Sequence, residues 1–136
     1  MRVTINHPEL FAAVFESITK LKLHRPVTGL STDSREIKEG DLYIAINGDK
    51  VNGHQFLNEV RQTGAVAALV CDVDKKIDIQ QIKVQNTLKS ISEIANKWRM
   101  KFGIPVIGIT GSNGKTSTKE LLSHVLSSKF KVHATE

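Results

Sequence analysis

Ile104-Pro105-Val106-Ile107-Gly108-Ile109-Thr110-Gly111-Ser112-Asn113-Gly114-Lys115-Thr116-Ser117-Thr118-Lys119-Glu120 is the stretch on which the reading of this chain turns. A β-branched run (Val106, Ile107, Ile109) enters a turn of small residues, and Leu121, Leu122, Val125 and Leu126 then recur at helical spacing. The pattern predicts buried strand, tight loop and helix, the architecture of a phosphate-binding loop. Glycines let successive backbone N–H groups turn inward, and the helix N-terminus adds partial positive charge. Lys115 can then reach outer phosphates and the Thr116 hydroxyl can ligate magnesium, so a nucleoside triphosphate with its metal is expected. The strict spacing, Gly, four residues, Gly-Lys-Ser/Thr, is not met, because Ile109 stands where the first glycine belongs. The alternative is a glycine turn into an ordinary helix with a solvated Lys115. The apolar strand before the turn and the amphipathic helix after it weigh against that alternative.

Composition narrows the remaining choices. With 136 residues, 40% of them hydrophobic, the chain can bury a core but is short for two complete domains. No apolar run approaches the roughly 20 residues of a membrane span, and the first residues lack a signal peptide's apolar core, so a cytoplasmic protein is expected. A single cysteine, Cys71, follows Ala67-Ala68-Leu69-Val70 and reads as a structural residue at a buried strand end. The net charge of +5 is carried by scattered lysines and arginines, and aromatics make up only 5%, so no nucleic-acid partner is expected. The five histidines show no ligand spacing with one another or with Cys71, and no zinc site is expected.

Outward from the loop, strand and helix alternate. Asn6-His7-Pro8-Glu9 starts a helix whose Leu10, Phe11, Val14, Phe15 and Ile18 face a core. Val27 to Leu30 form a strand running into the polar turn Ser31-Thr32-Asp33-Ser34-Arg35. Leu42 to Ile46 form a second strand, followed by the loop Asn47 to His54. A short helix through Phe56, Leu57 and Val60 ends near Gly64, and Ala65 to Val70 form another strand, with Ile82 to Val84 a possible fourth. Polar loops after buried strands are where α/β folds build ligand sites, although Asp33, Ser34 and Arg35 could equally serve the turn alone. Asn86-Thr87 caps a further helix with the stripe Leu88, Ile91, Ala95, Trp98, Phe102. Two domains are expected, 1–85 and 86–136, the second ending in a strand over Phe130 to Thr135. A P-loop enzyme needs further strands and an acidic metal ligand, so a longer parent enzyme is expected.

These residues resemble the Mur ligases of bacterial cell-wall synthesis. Thr110 to Thr116 is similar to that family's own P-loop variant. Thr32-Asp33-Ser34-Arg35, Gly40-Asp41-Leu42-Tyr43-Ile44-Ala45, Gly48, Asn52-Gly53-His54-Gln55-Phe56 and Gly64-Ala65 resemble the first domain of its later-acting members. Asn52 stands where aspartate is usual in the family, Tyr43 where phenylalanine is common and Ser117 where threonine is common. The resemblance implies a small N-terminal α/β domain followed by the opening strand, P-loop, helix and strand of an ATPase central domain. It implies ATP contacts at Thr110, Gly111, Ser112, Asn113, Gly114, Lys115, Thr116 and Ser117, with Lys115 and Thr116 catalytic and Thr116 on Mg2+. By the same resemblance, Thr32, Ser34, Asp49, Lys50 and Val51 hold the uridine diphosphate end of a UDP-N-acetylmuramoyl peptide, while Arg35 organises its turn. The implied reaction is ATP-dependent amide-bond formation through an acyl phosphate by a monomeric cytoplasmic enzyme. The pattern is most similar to the members that add D-alanyl-D-alanine, with those that add the third amino acid close behind. A different P-loop class would explain Gly111 to Thr116 alone, and a non-catalytic nucleotide-sugar module would leave Lys115 idle.

Overall fold

The computed structural model describes residues 2–48 and 51–135. Two compact units divide it, Met1–Phe102 and Gly103–Glu136.

The first unit is a five-stranded sheet in sequential order: β1 (Arg2–Thr4), β2 (Gly29–Ser31), β3 (Asp41–Ile44), β4 (Ala67–Val70) and β5 (Gln80–Lys83). β1 pairs antiparallel with β2, and the other neighbours are parallel. Helices α1 (Pro8–Thr19) and α3 (Thr87–Arg99) cover one face; α2 (Leu57–Thr63) and the 3-10 turn Ser34–Glu36 lie over the other. Strand alternation divides the core accordingly. Leu42, Ile44, Ala67 and Leu69 pack beneath Phe11, Val14, Phe15 and Ile94, while Tyr43, Ala45, Ala68 and Val70 pack beneath Ile37, Leu57 and Val60. A sheet buried on both faces accounts for the unbroken apolar runs in β3 and β4.

Three sequence expectations change here. β1 was not anticipated: it is held at the sheet edge by Arg2, whose guanidinium makes two hydrogen bonds of 2.6 and 2.7 Å to the buried Asp41 carboxylate. Nothing local could announce a pairing across 39 positions. α3 is rotated from the expected stripe: Ile91 and Trp98 pack on the core as expected, Thr87 and Ile94 are buried beside them, and Leu88 and Ala95 are exposed. Its aromatics fix that rotation, with Trp98 edge-on to both Phe11 and Phe102 at centroid distances of 5.9 and 5.3 Å. Because α3 packs on α1, the first compact unit runs to Phe102 instead of ending at residue 85.

The second unit contains α4 (Lys115–Ser127). The strands expected at Val106–Ile109 and Phe130–Thr135 do not form among the described residues, and all five strands belong to the first unit. A strand exists through a hydrogen-bonded neighbour, and neither segment has one. Ile104, Val106, Ile107, Leu121, Val125 and Phe130 are each more than half exposed, and none of residues 103–135 is buried.

Candidate functional site

In the second unit the residues expected to form a phosphate loop surround the start of α4. Gly111 and Gly114 both have positive φ, at 156° and 75°, a conformation that side chains disfavour. Gly114 is the N-cap and supplies no side-chain cap, whereas the N-cap of α3 is closed by Asn86, whose Oδ1 accepts from Lys89 N–H at 2.8 Å. The intrahelical ladder of α4 opens with Thr118 N–H donating to Gly114 C=O at 2.9 Å. The N–H groups of Lys115, Thr116 and Ser117 therefore sit in the first turn, where a helix has donors and no internal acceptors. Lys115 folds back across the loop and its Nζ donates to the Gly111 carbonyl. That places an ammonium group over the turn that an anion would occupy. Thr110, Ser112, Asn113, Thr116 and Ser117 are all exposed around it.

A cleft of about 940 Å³ also borders α4, lined mainly by Ile107, Ile109, Leu122, Leu126, Phe130 and Val132. Its lining is largely apolar, with Lys115, Thr116 and Lys119 of α4 among its polar residues, so the cleft adjoins the loop.

In the first unit, the carboxyl ends of β2, β3 and β4 bring together three turns. After β2, the Asp33 carboxylate accepts from Arg35 N–H at 3.0 Å, Arg35 Nε at 2.9 Å and the terminal guanidinium nitrogen at 2.6 Å. The Arg35 guanidinium holds the Asp33 carboxyl down at about 2. Arg35 thus closes the turn as expected. Ser34 is buried, yet its Oγ has no hydrogen-bond partner among the described residues and keeps access to solvent. Thr32 is exposed beside it.

After β3, Gly48 N–H donates to Val51 C=O at 3.0 Å and Asn47 bridges Asn52. Val51 is exposed; Asp49 and Lys50 lie outside the described residues. The chain then enters the 3-10 turn Gly53–Phe56, whose N-cap Asn52 accepts from His54 N–H at 3.0 Å. Tyr43 Oη donates to Gly53 C=O at 3.0 Å. Burial, reinforced by the charges of Glu59 and Asp33, pushes the Tyr43 phenol up to about 12. Two residues of this region had no functional reading from sequence, Tyr43 and His54. Tyr43 looked like any apolar strand residue, and His54 Nε2 meets Cys71 and Asp72, which follow the neighbouring strand β4.

No group of three or more His, Cys, Asp or Glu side chains able to hold a metal occurs among the described residues. The Thr116 hydroxyl, exposed at the first turn of α4, could serve as a ligand to magnesium, a metal that takes most of its ligands from phosphate and water.

Comparison with known proteins follows the same division. Residues 26–99, more than half of the chain, match the Mur ligase family, catalytic domain, and residues 109–136 match the Mur ligase middle domain. The chain belongs to the Mur ligase family. Among curated relatives, the UDP-N-acetylmuramoyl-tripeptide–D-alanyl-D-alanine ligase of a Synechocystis species is 38% identical over 124 residues, covering 88% of this chain and 27% of the relative. The UDP-N-acetylmuramoyl-L-alanyl-D-glutamate–2,6-diaminopimelate ligase of Aquifex aeolicus is 39% identical over 106 residues, covering 74% and 21%. Among solved structures, the MurF ligase of Thermotoga maritima in complex with ADP is 32% identical with a TM-score of 0.69, covering 74% of this chain and 23% of that one. This Mur ligase chain spans about a quarter of the length of the relatives it matches. Among its described residues no helix is long and apolar enough to cross a membrane.

Proposed function

We propose that the whole protein is a cytoplasmic, monomeric ATP-dependent ligase of peptidoglycan precursor synthesis, joining D-alanyl-D-alanine to UDP-N-acetylmuramoyl-tripeptide. The observation that carries the reading is the uncapped start of α4, with Gly114 at its N-cap and Lys115 Nζ drawn over the loop. A Mur ligase that binds ATP needs such a place for its phosphates, and the Thermotoga relative is described with ADP. Thr110 to Ser117 take the nucleotide, and Lys115 balances charge that develops on the transferred phosphoryl group. Thr116 Oγ1 offers a ligand to magnesium, which when bound neutralises phosphate charge. In the reaction, a substrate carboxylate oxygen bonds to the γ-phosphorus as the bond to ADP breaks. The amine of D-alanyl-D-alanine then attacks the acyl carbon, inorganic phosphate departs and the nitrogen loses a proton.

In the first unit, Thr32, Ser34 and Val51, with Asp49 and Lys50, hold the uridine diphosphate end of the substrate. The unpartnered Ser34 hydroxyl on a buried residue supports this assignment. A second reading, addition of a diamino acid to the dipeptide precursor, draws on the Aquifex relative. Titration calorimetry separates the possibilities. UDP-N-acetylmuramoyl-tripeptide is expected to bind and to weaken about tenfold in Ser34→Ala, the order of one hydrogen bond to a charged or oriented group, with no change in Lys115→Ala. Mg-ATP binds more weakly to this chain and depends on Lys115. Tighter binding of the dipeptide precursor would favour the second reading. No heat from either uridine substrate, with Lys115-dependent heat from Mg-ATP, would overturn the first-unit assignment. Mixed with all three substrates, the 136-residue chain is expected to release no phosphate.

A further inference from the structure

On the face of α4 that borders the cleft, one position holds a half-buried lysine. Residues 110–118 and Glu120 are exposed, whereas Lys119 is half-buried together with Leu122, Ser123 and Leu126, which lie three, four and seven positions on. The same face begins with Lys115 and Thr116, and all six residues line the cleft beside the loop. Leu122 and Leu126 need no polar partner there, but the Lys119 ammonium does. It has one: Nζ donates to the Thr135 carbonyl at 2.6 Å, across 16 positions of the chain. Among the described residues this is the one hydrogen bond made by residues 131–135, over which no strand forms.

Two lysines of one helix face thus hold the two segments that flank α4: Lys115 reaches back to Gly111 and Lys119 reaches forward to Thr135. Like charges four positions apart repel weakly on a helix, so the pair does not serve the helix itself. We propose that Lys119 is a positioning residue: its ammonium fixes residues 131–135 along the face of α4 that carries Lys115 and Thr116, and so sets one wall of the site for the nucleotide's phosphates. The inference rests on the nucleotide reading of the second unit. Lys115 stands in the first turn, where phosphates meet a helix; Lys119 stands one turn deeper, with a donor committed to a backbone oxygen. A charged donor makes the stronger hydrogen bond to a carbonyl, which suits an ammonium to hold a segment that has no strand ladder of its own.

The test uses the 136-residue chain as wild type, Lys119→Met, Lys119→Arg and Lys115→Ala, at one pH and ionic strength. Two quantities are read: backbone order parameters from NMR relaxation over residues 115–135, and calorimetric affinity for Mg-ATP. Methionine keeps most of the side chain's reach and has no donor, while arginine restores both charge and donors. In wild type and Lys119→Arg, residues 131–135 are expected near the roughly 0.85 of rigid backbone; in Lys119→Met they fall below about 0.6 while α4 is unchanged. Mg-ATP affinity is expected to fall about fivefold in Lys119→Met, the order of one hydrogen bond, and to return in Lys119→Arg. Lys115→Ala is expected to lose the Mg-ATP heat and to keep the order of residues 131–135. Equal order parameters in wild type and Lys119→Met overturn the proposal; with weakened binding, that result means that the ammonium acts on the phosphates directly. Order lost in Lys119→Met with affinity unchanged overturns the positioning role. No Mg-ATP heat in any variant, with order that follows Lys119, removes the nucleotide reading and leaves Lys119 as a fastening of the segment alone. Should Lys119→Met lose α4, Lys119→Ala decides in its place, since alanine removes the donor and is the strongest helix former.

Discussion

Gly53 has almost no room for a side chain. A Cβ there would lie 2.8 Å from both the backbone nitrogen and the backbone oxygen of Ile46, and backbone cannot swing aside as a side chain can. Gly53→Ala is therefore expected to cost about 1–3 kcal/mol by chemical denaturation, the range for an overpacked site. Tyr43 supports the same turn from beneath. Its phenol holds its proton more tightly when folded, at about 12 against an ordinary 10.0, so its contribution is complete below pH 10 and is lost as pH rises through 12. Tyr43→Phe is expected to flatten that alkaline loss and to lower stability at neutral pH by about 1–2 kcal/mol, through the unsatisfied Gly53 carbonyl. Urea titrations across the alkaline range check both signs; an unchanged alkaline limb in the variant would contradict the assignment. At this scale the sequence was uneven. Gly111, Gly114 and Lys115 are contiguous enough for their role to be proposed from one loop alone. The roles of Tyr43 and of the Nε2 side of His54 could not be, because Gly53 and Cys71 stand ten and 17 positions further along the chain.

For the elements, α3 separates pattern from packing. Leu88, Ile91, Ala95, Trp98 and Phe102 made a regular stripe, yet rotation by the aromatic contacts with α1 buries Thr87 and Ile94 and leaves Leu88 52% exposed. Ile94→Ala is expected to cost about 2–5 kcal/mol, as a truncation in a filled core. Leu88→Ala should stay within about 0.5 kcal/mol, the usual range at an exposed position. Thermal or denaturant unfolding of the two variants decides which face is buried, and a larger loss at Leu88 would reverse the orientation described. The helices and the inner strands were legible, since capping residues, glycine stops and apolar runs are written within each segment. β1 was not, because a three-residue strand with one apolar side chain owes its existence to Asp41.

Across the whole molecule, the two units differ in what they bury. Residues 2–102 close a core on both faces of a sheet, while none of the described residues from 103 onward is buried. Local opening costs least where few apolar contacts must be broken. Limited proteolysis is therefore expected to cut within Gly103–Glu136 first and to leave a resistant product ending near Phe102; first cuts inside β3 or β4 would contradict this. The sequence by itself determined the alternation of strand and helix in the first unit and the family, and it carried the expectation of a phosphate loop, because periodicity, capping and a contiguous motif are properties of neighbours along the chain. Only the tertiary structure decided which helix face is buried, where the first unit ends, that Arg2 reaches Asp41, and that His54 joins two turns. Those depend on groups far apart in sequence, whose hydrogen bonds and contacts exist once the sheet has brought them within reach.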